Sequence, residues 1–384
     1  MSVDKRFIVT QHLKTEKHKQ AAKRVENDTK FLSMYTGKDI PSESTLRKGY
    51  VNEIYENTIQ KIRNYVQNKC IWVSIDETTD VTGRYVANVV IGILNETERS
   101  KMFLLHPEEL EKCNHSTICK LFDRSMHLLW PNGVQHDKVL LFLSDAASYM
   151  VKTGEAIKLF YSKTIHITCL AHAFHRIAEV VQAGYSKVDK LIANVKKVFT
   201  PTLTLPPEPI LTRWGTWIKA ANYYCEHFEQ IKLIVNSFDD NDAVSIKNSK
   251  KCLSDKNIEA QLVFIKSNFG FLPDLITRLE KQEILQVDSI SIVEEAKEKL
   301  IKINGEMGET IKIKIQSVLL INKAYQTVLK ILEILNGKED TDGLSEYWSL
   351  NDLTCMKNCP ITSVDIERSF STYKNLLTSN RQLF

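Results

Sequence analysis

Apolar and β-branched residues form five short runs in the first half of the chain, and polar segments separate them. The runs cover residues 70–75, 85–94, 101–105, 139–144 and 164–169. Runs of this length and composition predict β-strands. The first and fourth are apolar at nearly every position, which is typical of central strands buried on both faces of a sheet. Short polar turns between the first three runs predict an antiparallel meander.

Helical spacing of apolar residues marks the segments between and after these runs. It predicts helices over residues 40–70, 116–130, 146–160 and 177–199, and largely helical chain from there to about residue 337. The pair Asn336-Gly337 is a C-cap signal for the last helix of that block. Residues 201–209 contain four of the nine prolines and predict an extended loop. A final helix is predicted from about Thr362.

In chain order the predicted elements are three strands, a helix, a strand, a helix, a strand and a helix. A helical block and one last helix follow. We therefore predict an α/β fold, with a mixed sheet that carries helices on both faces. This is the element order of a ribonuclease H-like fold.

Two carboxylates follow the predicted central strands: Asp76 after the first and Asp145 after the fourth. These strands are neighbours in such a fold, so the two acids could share divalent cations, as in two-metal phosphodiester chemistry. Mg²⁺ prefers oxygen ligands of this kind. The alternative is that each Asp is simply a turn former or a helix cap. The flanking acids Glu77 and Asp80 are expected to be solvated.

The third candidate acid is Glu367, on the final helix. Thr362 is the predicted N-cap of that helix, and Asp365 three residues later completes a capping box. Glu367 lies beside the apolar stripe of the helix, where an acid is unfavourable unless it is paired or bound to a metal. The alternative is a surface salt bridge from Glu367 to Arg368 or Lys374.

Two further motifs could carry chemistry. The spacing of Cys169 and His172, followed by His175, matches half of a structural zinc site. No second ligand pair follows at a usual distance, so a buried Cys beside a hydrogen-bonded His is favoured and no zinc is expected. Arg213 and Trp214 follow the proline loop and could hold a phosphate and stack an unpaired base. The alternative for Trp214 is a core residue that anchors the next helix.

Positive charge is concentrated near the start of the chain. The formal net charge is +4 over 384 residues, whereas residues 1–24 alone carry seven Lys or Arg and two Asp or Glu. A basic arm in front of a nearly neutral body is typical of a segment that contacts a polyanion. The arm residues predicted to contact DNA are Lys14, Lys17, Lys19, Lys23 and Arg24.

Other patterns narrow the class of protein. No secretory leader and no uncharged apolar run of membrane-spanning length is visible, so no membrane partner is expected. The eight cysteines are scattered without a disulfide framework, which favours a reducing compartment. The sequence lacks Walker A, G-x-S-x-G, H-E-x-x-H and dinucleotide-type glycine motifs. Nucleotide kinases, serine hydrolases and zinc proteases are therefore not supported.

An ordered set of motifs between residues 70 and 384 resembles the hAT superfamily of transposases. The motifs are residues 74–80 (SIDETTD), 143–147 (LSDAA), 169–172 (CLAH), 212–214 (TRW) and the block from 360 to 371 that contains PITS and ERSFS. The first 68 residues, especially 11–18 and 40–47, resemble the CGG triplet repeat-binding protein and its BED-finger-like relatives. His12 and His18 stand where such a finger has its histidines, but the finger's cysteines are missing.

The resemblance implies a DDE-type site in which Asp76, Asp145 and Glu367 hold Mg²⁺ or Mn²⁺. It implies cleavage of DNA by a metal-activated water, then attack of a DNA 3′-hydroxyl on a target. It also implies that Trp214 stabilises a flipped base, that Cys169 and His172 form a structural motif, and that the protein works on DNA in the nucleus.

The resemblance also divides the chain, because it explains the long separation of Asp145 from Glu367 as an all-helical insertion. The implied regions are a degenerate BED-finger-like arm (1–30), a helical linker (31–68), a ribonuclease H-like catalytic core (69–200), the helical insertion (201–345) and a C-terminal dimerisation segment (346–384). We expect a homo-oligomer formed through that last segment, weakened because the block stops at Phe384.

The sequence leaves two functions open. The set of three acids favours an active DNA transposase. The missing finger cysteines and the short C-terminal block favour a catalytically inactive, domesticated DNA-binding or transcription-regulatory protein of the CGG-repeat-binding type.

Overall fold

A computed structural model describes residues 33–34, 37, 45–80, 83–97, 101–195, 209, 215–281, 284–344 and 346–376. The chain divides into two compact units. The smaller unit is Met1–Tyr65 with Ser371–Phe384, and the larger unit is Val66–Phe370. A turn of π-helix, Leu46–Tyr50, leads into the helix α1, Val51–Val66, at the place where the sequence predicts a helix; all but the last residue of α1 belong to the smaller unit.

The larger unit is built on one mixed β-sheet. Its strands are β1 (Ile71–Thr79), β2 (Tyr85–Ile93), β3 (Met102–Leu110), β4 (Val139–Ser144) and β5 (Ile165–Thr168). The strand order is β3-β2-β1-β4-β5. The first three strands form the predicted antiparallel meander, and β4 runs parallel to both β1 and β5. The prediction of a mixed α/β sheet is therefore confirmed.

The central strands are as buried as their apolar sequences predict. All six residues of β4 are buried, and so are the first five of β1. Trp72 on β1 lies opposite Gly92 on β2. A Cβ atom at residue 92 would lie 2.6 Å from the Trp72 indole nitrogen, so only glycine leaves room for that ring.

The edge strand β3 is longer than the predicted 101–105. It continues to Leu110 and includes Pro107, which pairs in register with Asn88. Proline lacks an N–H donor and is tolerated at the edge of a sheet but not in its centre. The strand predicted from the sequence stops short of Pro107, because proline is expected to end a strand unless that strand lies at the edge of a sheet. The sequence pattern does not show which strand lies at the edge.

Helices cover the sheet and form the block that follows it. The helices along the sheet-forming half of the chain are α2 (His115–Leu129), α3 (Ser148–Lys158), α4 (Leu170–Gly184) and α5 (Ser186–Val195). α2 packs on β3 and α3 packs on β5, whereas α5 packs on helices. The block contains α6 (Gly215–Glu226), α7 (Phe228–Asn236), α8 (Val244–Leu253), α9 (Lys256–Phe269), α10 (Leu272–Leu279), α11 (Gln286–Ile301), α12 (Gly305–Ile321) and α13 (Lys323–Leu335). The last two described helices are α14 (Leu350–Cys355) and α15 (Val364–Leu376). The residues of α15 up to Phe370 belong to the larger unit.

The single helix predicted over residues 177–199 is wrong. α4 ends at Gly184, and Tyr185 leaves the helical conformation with φ −120° and ψ 55° before α5 begins. A Cβ atom at residue 184 would clash with the Met307 methyl group, so α12 approaches the chain closely at this break. The apolar stripe continues across the break, which is why the pattern reads as one helix.

The C-cap predicted at the end of α13 is confirmed. Gly337 has φ +70°, a left-handed conformation that favours glycine. The N–H of Lys338 donates to the carbonyl of Glu333 at 2.9 Å, and that of Gly337 donates to Ile334 at 2.9 Å. These two bonds form a Schellman motif.

One continuous apolar core runs through the larger unit from the sheet into the helical block. It includes Leu141 of β4, Phe174 of α4, Trp217 of α6, Leu262 of α9 and Tyr325 of α13. Within the described residues, none of the helices has the length and apolar character needed to cross a membrane.

Candidate active site

Strand pairing brings the first two candidate acids to one edge of the sheet. Parallel pairing of β1 with β4 extends to Ser74 opposite Leu143, and Asp76 and Asp145 each lie two residues beyond that pair. The expectation that their strands are neighbours is confirmed. The expectation that Asp76 ends its strand is wrong, because β1 continues to Thr79, where it still pairs with β2. The antiparallel partner thus extends β1 past its pairing with β4.

Asp145 shapes the turn that follows β4. Its Oδ1 accepts a hydrogen bond from the backbone N–H of Ala147 at 3.0 Å. The neighbouring Ser144 hydroxyl donates to the carbonyl of Asp145 at 2.8 Å and lies 2.8 Å from the Nε2 atom of His166. Asp145 is therefore a turn former, one of the two roles that the sequence left open. It is also close enough to Asp76 to raise the pKa of that residue.

Asp76 is close to other acidic side chains and is shielded from water, and both conditions disfavour its charged form. Burial raises the pKa of Asp76 to about 8, and the negative charges of Glu77 and Asp145 contribute to the rise. His172 opposes them, as does the backbone N–H of Glu77, which donates to Asp76 Oδ1 at 2.9 Å. A carboxyl with a raised pKa beside other acids is common at functional sites.

Glu77 is not the solvated acid that the sequence predicts. It is half-buried, and the hydroxyl of Tyr149 on α3 donates to its Oε1 atom. Burial raises the pKa of Glu77, the Tyr149 hydroxyl lowers it, and Asp145 raises it. Its Oε2 atom is buried and has no hydrogen-bond partner within the described part of the chain. Successive side chains of a strand point to opposite faces, so Glu77 faces α3 while Asp76 faces α4.

Asp80 is not solvated either. It is buried at the turn after β1 and bonds Arg84, whose Nε donates to Asp80 Oδ2 at 2.8 Å. The backbone N–H of Arg84 also donates to Asp80 Oδ1 at 3.0 Å. Asp80 therefore closes the β1–β2 hairpin and is not a candidate for chemistry.

Glu367 reaches the same region from α15 through His172. The Nε2 atom of His172 lies 3.3 Å from Glu367 Oε1, and both side chains are about 30 % exposed. Arg368, a partner that the sequence offers as an alternative, forms an ion pair with Asp365 at 2.9 Å. The side chain of Lys374 lies outside the described residues.

The predicted N-cap at Thr362 is wrong. α15 begins at Val364, two residues later, and the Thr362 hydroxyl donates to the carbonyl of Leu279 at 3.5 Å. Thr362 therefore fastens the segment before the helix to the end of α10. A capping signature in the sequence cannot reveal a partner that lies on a distant helix.

Cys169 and His172 lie at the start of α4 and interact with each other, as the buried-cysteine alternative predicts. Burial opposes charge on both, but their mutual interaction lowers the pKa of Cys169. Burial likewise opposes protonation of His172, and Cys169, Glu367 and Asp76 together raise its pKa to about 10. These neighbours therefore favour the protonated form of His172 against the effect of burial.

The start of α4 also fixes the segment that leads into α15. The backbone N–H of Ser363 donates to the Cys169 sulfur at 3.1 Å, and the N–H of Leu170 donates to the carbonyl of Ile361 at 3.1 Å. The motif therefore positions the helix that carries Glu367.

Asn88 belongs to this site, although no sequence motif points to it. It is fully buried on β2 directly opposite Asp76, and its amide donates to the hydroxyl of Ser369 on α15 at 2.7 Å. Its Oδ1 atom is buried without a hydrogen-bond partner among the described residues. The sequence did contain a signal for Asn88: it is a single amide side chain inside an otherwise apolar strand. A buried polar side chain is unfavourable without a partner, so such a residue is expected to have a specific role.

The donor chemistry of the site fits a divalent cation. Asp76 and Asp145 supply carboxylate oxygens, the ligands that Mg²⁺ and Mn²⁺ prefer. The raised pKa of Asp76 and the unpartnered Oε2 of Glu77 both indicate negative charge that a cation would stabilise. Among the described residues, however, no group of three His, Cys, Asp or Glu is already arranged as a metal cage. His172 holds Glu367 in the present arrangement.

Several predicted DNA-contacting residues lie outside the described part of the chain. They are Arg213, Trp214, Lys14, Lys17, Lys19, Lys23 and Arg24, together with the finger histidines His12 and His18.

Comparison with known protein families shows a match over part of the chain. Residues 41–198 match a family described as a domain of unknown function (DUF659). This family is associated with hAT-like and BED-type zinc-finger proteins derived from transposases. The matched region includes α1, the whole sheet, and two of the three candidate acids, Asp76 and Asp145. It points to a transposase-related origin for this part of the chain. None of the curated proteins compared with the chain matches it.

Proposed function

We propose that this protein is a hAT transposase-like DNA-binding protein whose larger unit contains a ribonuclease H-like core for metal-dependent cleavage and strand transfer of DNA. The observation that carries the proposal is the placement of Asp76 and Asp145 beyond paired, parallel strands, with Glu367 beside His172, which also acts electrostatically on Asp76. The strand order β3-β2-β1-β4-β5 and the family match over residues 41–198 support it.

In this proposal Asp76 and Asp145 hold Mg²⁺ or Mn²⁺, with Glu367 as the third acid. When bound, the metal would lower the pKa of a water and stabilise the attacking and leaving oxygens of an in-line displacement. The surrounding residues fix the acids: the Ala147 N–H holds Asp145, and Asn88 ties β2 to α15 through Ser369.

His172 has a positioning role in this proposal. Its protonated ring holds Glu367 and offsets part of the negative charge around Asp76. The ring thus acts on both acids, on Glu367 by contact and on Asp76 through its charge. The basic arm and Arg213-Trp214 would contact DNA, the C-terminal segment would support self-association, and the site of action would be the nucleus.

The second candidate function is DNA binding without cleavage, as in a domesticated transposase that regulates transcription. Two observations favour it. Glu367 is engaged by His172, and no three-residue metal cage is formed among the described side chains. In this case the His172–Glu367 pair would be a permanent structural link between α4 and α15.

A DNA-nicking assay separates the two functions. The full chain is incubated with supercoiled plasmid in Mg²⁺ or Mn²⁺, and conversion to open circles is measured. Active protein should nick DNA, and Asp145→Asn and Glu367→Gln should abolish nicking, because each removes a metal-binding oxygen. Asp123→Asn, a change at an exposed acid on α2, should leave it intact. If wild-type protein and Asp145→Asn show the same background while both still bind DNA, the non-catalytic function is correct.

A further inference from the structure

A basic groove lies in the helical part of the larger unit, between α5 and the consecutive helices α8 and α9. It encloses a cavity of about 360 Å³. Its lining includes Lys187, Lys190, Asn194, Lys251, Cys252 and Asp255. Two packed helices thus present lysines to one space. We refer to this feature as the lysine groove.

The charge of the lysine groove is positive after internal pairing. Lys187 donates to Asp255 Oδ2 at 2.6 Å and holds the pKa of that carboxyl below its usual range, so these two charges largely offset each other. Lys190 and Lys251 are exposed, and neither forms an ion pair with a described residue. Burial raises the pKa of the half-buried Cys252 thiol and both ammonium groups lower it, so both lie within electrostatic range of that thiol.

The remaining donors suit an anionic partner, and a phosphate backbone carries such charges in a regular row. Two unpaired ammonium groups on adjacent helices can contact successive phosphates of a nucleic-acid strand as point charges. Asn194 also lines the groove, and its side-chain amide donates to the carbonyl of Lys190 at 2.7 Å. The lining contains Asp255 as its acid, and Lys187 already neutralises it.

We propose that the lysine groove is a docking surface for the phosphate backbone of duplex DNA, with Lys190 and Lys251 as the principal contacts. This inference rests on the proposed DNA-binding function and extends it, because it places a backbone contact outside the candidate active site and outside the basic arm.

Thiol footprinting of the full-length wild-type protein tests the proposal without any substitution. Cys252 lies in the groove, and Cys225 on α6 is an equally half-buried control that faces Lys266 together with Glu226 and Glu259. Duplex DNA should slow alkylation of Cys252 by a maleimide at least about fivefold and leave Cys225 unchanged, as peptide mass spectrometry would show. Inorganic phosphate at the same phosphate concentration should protect neither thiol.

Salt-dependent binding gives a second readout. Lys190→Ala with Lys251→Ala should weaken DNA binding and lower the slope of log K against log salt by about 2, since each phosphate that is no longer neutralised reduces that slope by about 0.9. The matched control is Lys297→Ala with Lys299→Ala, a pair on α11 already bound to Glu294 and Glu295.

Failures of the two proposals are distinguishable. If the chain binds no DNA, the proposed function fails and the groove proposal fails with it. If DNA binds but Cys252 reacts at its free rate, or the double lysine variant keeps the full slope, the groove proposal alone is wrong. Protection of Cys252 by inorganic phosphate alone would also overturn it in favour of a small-anion site.

Discussion

His172 joins the two halves of the candidate site at the scale of single residues. It lies 3.3 Å from Glu367 and lowers the pKa of Asp76 against the effect of burial. The sequence revealed the Cys169-x-x-His172 spacing but not this role. The reason is physical: the partner of His172 lies on a helix at the far end of the chain, and its identity depends on tertiary packing.

The stability of metal-free protein should depend on the ionisation of Asp76. An unfolded Asp ionises near about 3.9, whereas burial raises the pKa of folded Asp76 to about 8. Between these values the folded protein retains a proton that the unfolded chain has released. The contribution of this group to the free energy of unfolding is therefore present below about pH 4 and is lost as pH rises toward about 8.

Asp76→Asn should remove that dependence. In EDTA, the variant should gain more than about 1 kcal/mol relative to wild type between about pH 4 and about pH 8.5, because the amide stays neutral. The side chain is half-buried, so the gain is smaller than the full shift in pKa implies. Urea unfolding at both pH values measures it, with exposed Asp123→Asn as the control. A gain that is equal at the two pH values would contradict the assignment.

The Tyr149–Glu77 hydrogen bond should contribute to stability as a coupled pair. Tyr149→Phe removes the donor to Glu77 Oε1, and the Oε2 atom of Glu77 already lacks a partner among the described residues. We expect destabilisation of about 1–3 kcal/mol. A double-mutant cycle with Glu77→Gln in urea unfolding should give a coupling energy of about 1 kcal/mol or more. Coupling near zero would show that the two side chains act independently.

At the scale of secondary-structure elements, the pairing of β1 with β4 and β2 fixes the geometry of the candidate site. That β1 and β4 are neighbours was predictable, since continuous apolar runs indicate central strands and the chain returns through a helix. That β1 continues through Glu77 to Thr79 was not, because those residues read as a polar turn. Their strand conformation comes from pairing with β2 as far as Tyr85.

Asp189 organises three helices of the larger unit and offers a test at this scale. Its Oδ1 atom accepts hydrogen bonds from Trp217 Nε1 on α6 at 2.9 Å and from Gln182 on α4 at 2.7 Å. Trp217 is buried and follows Arg213-Trp214 closely in the chain. Asp189 therefore anchors the first turn of the helix after that motif.

Asp189→Ala should destabilise the protein by about 1–3 kcal/mol, because it leaves the buried indole N–H without an acceptor. Asp189→Asn keeps an oxygen at the same place and should be clearly less destabilising. Urea unfolding of the three proteins measures the difference. If both variants are as stable as wild type, the hydrogen bonds at Asp189 do not anchor α6.

At the scale of the whole molecule, the chain combines an α/β sheet, a large helical block that shares its core, and a basic N-terminal segment. The helical block was predictable in outline from its 3.6-residue periodicity. The breaks between its helices were not predictable, because an apolar stripe can continue across a break. The same holds for the break at Tyr185, which precedes the block. The lysine groove could not be predicted, since its residues come from separate helices brought together by packing.

The basic segment should contribute affinity for DNA without sequence preference. Replacing Lys14, Lys17, Lys19 and Lys23 by Gln should weaken binding to all duplexes and lower the salt slope by about 0.9 for each phosphate that these lysines neutralise. Lys→Arg at the same positions keeps the charge and should retain the slope. Fluorescence anisotropy across a salt series measures both. Equal slopes in the Gln and Arg variants would show that this segment does not bind DNA phosphates.

The central claim is that three distant parts of the chain share one divalent cation, and iron-directed cleavage of the backbone tests it most directly. Fe²⁺ is added in place of Mg²⁺ with ascorbate and peroxide, and the fragments are mapped by mass spectrometry. We expect cuts near Asp76, Asp145 and Glu367 that excess Mg²⁺ suppresses and that Asp145→Asn abolishes. Cuts absent from these three segments, or unchanged in Asp145→Asn, would contradict the claim.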